Sequence, residues 1–146
     1  MNDPEFEIPS DPKYIKIASD RLLYALKGFR LDKEVLFDIR LCLEEAVINA
    51  IKYGNKLDRK LPVRIGYSLS DGRLEITVRD RGRGFDFEAI PDPRAEDNVL
   101  RQGGRGLFLI RNLMDMVEFN DSGNEIKMIK FISGGRSHGG KGKKGR

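Results

Sequence analysis

At 146 residues the chain is long enough for one proper hydrophobic core and too short for two. Its 39% hydrophobic and 34% charged residues are ordinary for a soluble cytoplasmic protein, no apolar run approaches the roughly 20 residues that span a bilayer, and the acidic N-terminus lacks the parts of a signal peptide. The net charge of +4 does not mark a nucleic-acid binder, because residues 133–146 carry five basic residues and no acid, leaving 22 basic against 23 acidic residues in the body.

The expected elements run as follows. Phe6-Glu7-Ile8 reads as a short first strand. Ser10-Asp11-Pro12 supplies a cap and a first-turn proline for a helix whose buried side is Ile15, Leu22, Leu26 and Phe29, ending near Gly28. Asp32 then opens a second helix, with Val35, Leu36, Ile39, Leu43, Ala46, Val47 and Ala50 at the 3.6-residue period and Gly54 as its closing residue. Cys42, the single cysteine, excludes an internal disulfide, fits a reducing compartment and reads as a core residue.

Residues 63–69 and 74–80 alternate strictly around Asp71-Gly72, which predicts a hairpin. Its parity puts Asp80 on the face of Leu74, Ile76 and Val78, so a carboxylate points to the core side. That placement is costly unless the group receives hydrogen bonds. Residues 86–102 lack periodicity and read as a mobile loop, after which Leu107, Ile110, Leu113 and Met114 mark a short helix. Met116-Val117-Glu118-Phe119 and Ile126 to Phe131 complete a second hairpin. The order predicts an α+β domain over residues 1–132, a two-layer sandwich with helices on one face of a largely antiparallel mixed sheet. Residues 133–146, rich in Gly and Lys with no apolar side chain to pack, read as a flexible basic tail.

Two glycine clusters stand at the ends of apolar runs, where a backbone bends sharply or approaches a ligand closely: Asp80-Arg81-Gly82-Arg83-Gly84-Phe85 and Gly103-Gly104-Arg105-Gly106-Leu107. Glu45 and Asn49, four residues apart, share one face of the second helix, with Lys52 three residues on. An Asn oxygen suits Mg²⁺ on a nucleotide, a carboxylate one turn away can orient a hydroxyl nucleophile, and Lys52 lies within reach of phosphates. Together these features describe a nucleotide site. Gly135 to Lys141 mimics the start of a P-loop, but Gly142 stands where Ser/Thr is required. Gly104-Arg105-Gly106 lacks the third glycine of a dinucleotide fingerprint. The only histidine, His138, lies in the tail, which disfavours a zinc site or a His-based triad.

Glu45-Ala46-Val47-Ile48-Asn49-Ala50 resembles the N box, and the two clusters resemble the first and second glycine boxes, of the GHKL superfamily of histidine-kinase-like ATPases. Within it, the free-standing domain, Glu45 four residues before Asn49, and the stretch from Gly103 to Asp115 are similar to anti-sigma-factor serine/threonine kinases. The resemblance implies a histidine-kinase-like ATPase fold with ATP and Mg²⁺ as cofactors. It implies that Asp80 accepts a hydrogen bond from the adenine amino group, while Gly82 and Gly84 let the chain pass close to base and ribose. Asn49 would hold Mg²⁺ and Glu45 would be the general base. Gly103, Gly104, Gly106 and Leu107 would form the phosphate end at a helix start, where the dipole favours anions, with Arg105 neutralising charge there. Implied partners are an anti-anti-sigma antagonist as serine substrate, a sigma factor and a second copy in a homodimer, in the cytoplasm, with neither nucleic acid nor membrane bound directly. Two alternatives stay open: an ATP-gated protein-binding switch without kinase activity, and a detached histidine-kinase catalytic domain.

Overall fold

In the computed structural model, residues 4–82 and 104–132 are described. The expectations for Arg83, Gly84, Gly103, the 86–102 loop and the 133–146 tail lie outside the described residues. Strand β1 (Glu5–Pro9) leads through a 3₁₀ turn (Pro12–Tyr14) into α1 (Ile15–Ala25). Asp11 sits extended before that turn and accepts from the Lys13 amide at 3.1 Å, while Pro12 fills a position whose missing N–H costs nothing. The helix ends at Ala25, three residues before Gly28, with tight turn bonds from Leu26 and Lys27.

Helix α2 (Lys33–Asn49) follows and widens into a π turn (Ala50–Gly54). Asp32 caps it through its carbonyl to Leu36 N and makes no side-chain cap bond. Strands β2 (Pro62–Ser70) and β3 (Arg73–Arg79) form the expected hairpin, with φ of 54° at Asp71 and 73° at Gly72. These two positive values are those of the type I′ turn that matches strand twist. Helix α3 (Gly104–Leu113), β4 (Met116–Phe119) and β5 (Glu125–Phe131) complete the described elements.

The five strands lie in the order β1-β2-β3-β5-β4, and all four pairings are antiparallel. The alternation of each strand separates two faces. Val63, Ile65, Leu74, Ile76 and Met128 point to the helices, where Leu22, Ile39, Leu43, Val47 and Ile51 cover them, and every one of these side chains is fully buried. Burying each stabilises the fold by about 1.5–3 kcal/mol. The other face carries a cross-strand row Glu7, Arg64, Arg79 and Glu125, in which Arg64 pairs with Glu7 at 3.1 Å and Arg79 with Glu125 at 3.3 Å. This is the polar, solvated side of a two-layer domain.

Candidate functional site

The site lies where α2, α3 and the ends of β3 and β5 meet over the helix-side face of the sheet. The β3 parity carries Asp80 to the core side, where it is 7% exposed. Its Oδ1 accepts from the Gly82 amide at 2.8 Å, and its own amide donates to the Asn124 carbonyl at 2.9 Å. Among the described residues no donor reaches Oδ2 in a hydrogen bond. Burial raises the Asp80 pKa above the ordinary carboxylate value, against smaller opposing effects of the Gly82 hydrogen bond and the Arg79 charge. A buried carboxylate with one oxygen to spare suits a ligand that brings an N–H donor.

An open pocket adjoins this carboxylate, with Asn49, Asp80 and Leu107 in its lining. Ala46, Ala50, Val78, Phe119 and Ile126 supply its apolar walls. The Arg111 guanidinium stands 5.6 Å from the Phe119 ring centroid. An open pocket with mostly apolar lining and one buried carboxylate can take a flat heteroaromatic group that brings an N–H donor.

Glycines decide how closely its parts approach. A Cβ at Gly82 would stand 1.8 Å from the Gly54 carbonyl oxygen, and one at Gly54 would stand 2.2 Å from Asp80 Oδ2. The two glycines therefore let the π turn and the chain after β3 touch beside the carboxylate. Gly54 does not adopt the positive φ of a left-handed helix cap; that backbone occurs at Lys56 and Leu57 instead. Gly54 does end the helical segment as expected, but what requires glycine there is Asp80. At the other end, a Cβ on Gly106 would stand 2.5 Å from Glu45 Oε1 and 3.4 Å from Asn49 Nδ2. The first turn of α3 is seated directly on the Glu45–Asn49 face of α2.

The structure thus gathers Glu45, Asn49 and Gly106 at one end and Asp80, Gly54 and Gly82 at the other, and Leu107 lines the pocket together with Asn49 and Asp80. Gly104 opens α3 beside the first group. Lys52 and Arg105 are exposed, and neither lines the pocket. The adjacent acids Glu44 and Glu45 diverge. Glu44 turns to α1, accepting from Ser19 Oγ at 2.5 Å and Arg40 Nη1 at 3.2 Å. Among the described residues no group of three or more His, Cys, Asp or Glu side chains stands ready to hold a metal. A divalent cation here would take most of its ligands from phosphate oxygens, with Asn49 as the matching hard protein donor.

Sequence reasoning missed Gly54, Gly123 and Asn124, all of which line the pocket. The signal for the last two lies in strand register: Val78 pairs with Ile126 and Arg79 with Glu125, so the next step puts Asn124 opposite Asp80. Nothing in the linear order of residues shows that pairing.

An antiparallel five-stranded sheet with helices on one face and this pocket between them defines the histidine-kinase-like ATPase fold. The chain belongs to the histidine kinase-like ATPase domain family, whose sequence profile matches residues 8–130. It is 32% identical over 136 residues to the "Serine-protein kinase RsbW" of Oceanobacillus iheyensis, covering 88% of this chain and 86% of that protein. The protein of that name from Bacillus subtilis is 30% identical over 139 residues, covering 90% and 87%, and that from Listeria monocytogenes 30% over 134 residues, covering 87% and 85%.

Proposed function

We propose that the chain is an ATP-dependent serine/threonine protein kinase of the anti-sigma-factor type. It phosphorylates a serine of an anti-anti-sigma antagonist and sequesters a sigma factor when that antagonist is not available. The observation that carries this reading is the convergence of Glu45 Oε1 and Asn49 Nδ2 on Gly106 at the start of α3. An ATP binder needs Asp80 and the pocket; a carboxylate beside the phosphate end is needed only for transfer. The names of the relatives support serine as the acceptor.

In this reading adenine fills the pocket and donates a hydrogen bond from its amino group to Asp80. The phosphates extend to the N-terminus of α3, where unsatisfied amides and the helix dipole favour anions. Asn49 would hold Mg²⁺, which supplies charge neutralisation on the phosphates when bound. The substrate serine Oγ forms a bond to the γ-phosphorus as the bond to the β–γ bridging oxygen breaks. The serine proton passes to Glu45, and ADP leaves. Arg105 and Lys52, both exposed, would balance phosphate charge from outside the pocket, and Gly84 and Gly103 would complete the glycine boxes. Such transfer depends mainly on positioning and charge stabilisation. The active form is a homodimer in the cytoplasm, with residues 1–132 as its catalytic domain and 133–146 as an appended tail.

The test is incubation with ATP, Mg²⁺ and the candidate antagonist, read as acid-stable phosphoserine. Glu45→Ala is expected to bind ATP within about twofold of the parent and to lose at least about a hundredfold in transfer rate, the range of a general base. If the parent binds ATP and partner and modifies no serine, the chain is a binding switch. Acid-labile phosphohistidine on the partner would make it a histidine kinase.

A further inference from the structure

Asn55 directly follows Gly54 and is 1% exposed, the most buried amide side chain in the described residues. Its Nδ2 donates to Ser10 Oγ at 2.9 Å, Pro62 O at 3.1 Å and Leu61 O at 3.2 Å. Its Oδ1 accepts from the Arg81 amide at 2.7 Å. One carboxamide thus joins the exit of β1, the entry of β2 and the exit of β3. The chain bends to place it: Lys56 and Leu57, the next two residues, adopt φ of 56° and 62°, a left-handed backbone that non-glycine residues avoid.

The bond to Arg81 falls at a decisive place. Three consecutive amides leave β3, and each has a fixed acceptor: Asp80 N on Asn124 O, Arg81 N on Asn55 Oδ1, and Gly82 N on Asp80 Oδ1. The first anchors the strand end and the third orients the carboxylate. Without the second, the peptide between them is free to rotate, and the Gly82 amide leaves the position from which it holds Oδ1. Only an amide side chain does this work, since it alone supplies an acceptor to Arg81 while its NH₂ donates to Ser10 Oγ and the Leu61 and Pro62 carbonyls.

We infer that Asn55 is a positioning residue for base recognition, fixing the chain after Asp80 and so the direction in which Asp80 presents its second oxygen. The inference rests on the reading that Asp80 receives the adenine amino group. It predicts that Asn55 acts through Asp80 and on that amino group in particular, not on nucleotide binding in general.

The test uses the full chain, with dissociation constants for Mg-ATP and for Mg-purine riboside triphosphate, which lacks the 6-amino group, measured by calorimetry. Asn55→Ser is expected to weaken ATP about tenfold and the analogue less than about twofold, with no further loss in an Asp80→Asn background, as coupled neighbours behave. Equal loss for both nucleotides, or the same factor in both backgrounds, would overturn the inference and leave Asn55 a folding residue only. If Asp80→Asn alone keeps full ATP affinity, the adenine reading of Asp80 fails and takes this inference with it. Ser10→Ala, which leaves the Arg81 bond intact, is expected to lower the melting temperature while ATP affinity stays within about twofold; a loss equal to that of Asn55→Ser would count against positioning. A further readout does not depend on any variant folding. In the parent the exposed Arg81 should show an amide protected from hydrogen exchange, and exchange at the unstructured rate would refute the bond on which the proposal stands.

Discussion

On the proposed function, Asp80 serves binding at the expense of stability. Its pKa is raised above 3.8 in the folded state, chiefly by burial. An acid of this kind binds its proton more tightly folded than unfolded, so its contribution to stability falls as pH rises from 3.8 through the raised value. Above that window the full penalty of a buried charge is present. Asp80→Asn is therefore expected to raise the urea midpoint of the nucleotide-free protein at neutral pH. The same change should weaken ATP by about ten- to a hundredfold, the worth of a hydrogen bond to a charged group. The reason is geometric: the amide oxygen must face the Gly82 N–H, which turns its NH₂ towards the amino group of the base. With the native residue, ATP affinity should fall on acidification beginning above the usual carboxylate range, measured by titration at a series of pH values.

At the scale of elements, the site depends on how α3 is held. Lys130 leaves β5 on the helix side, donates to the Leu113 carbonyl at 2.7 Å and stands 3.8 Å from Asp38 Oδ2 on α2. A cation at the last carbonyl of α3 satisfies an orphan acceptor and complements the helix dipole. Lys130→Met should cost about 1–3 kcal/mol in chemical denaturation, the penalty of leaving that carbonyl unpaired. The turn after α2 offers the opposite case. Lys56 is exposed and left-handed, so Lys56→Gly is expected to stabilise by about 1 kcal/mol, measured the same way. The hairpin of β2 and β3 was legible because Asp71-Gly72 marks its turn between two alternating runs. The role of Gly54 was not, because a glycine after a helix looks like a cap whether or not a carboxylate rests against it.

The whole molecule is a layer of helices closed over one face of the sheet, and Cys42 reports on that closure. It is fully buried on α2, and its thiol is pushed up to about 12, by burial first and by the Asp38 charge second. Neither access nor thiolate is available in the native state, so reaction with a thiol reagent should follow global unfolding. Its rate against urea should track the unfolding transition; fast labelling in native buffer would show that the two layers separate locally. Among the described residues no helix is long and apolar enough to cross a membrane.

Much of this architecture was determined by the sequence alone. Local rules, namely the 3.6-residue period of α2, strand alternation, the Asp-Gly turn and the parity that sends Asp80 inward, depend on neighbours a few residues away. They sufficed for the α+β layer arrangement and for the inward direction of Asp80. The tertiary structure decided what rests on distant pairing. The β3–β5 register brings Asn124 to Asp80, the packing of α3 on α2 makes Gly106 obligatory against Glu45, and the π turn lays Gly54 and Asn55 beside the end of β3. Those contacts join residues 26 to 61 positions apart, and no local pattern encodes which of them meet.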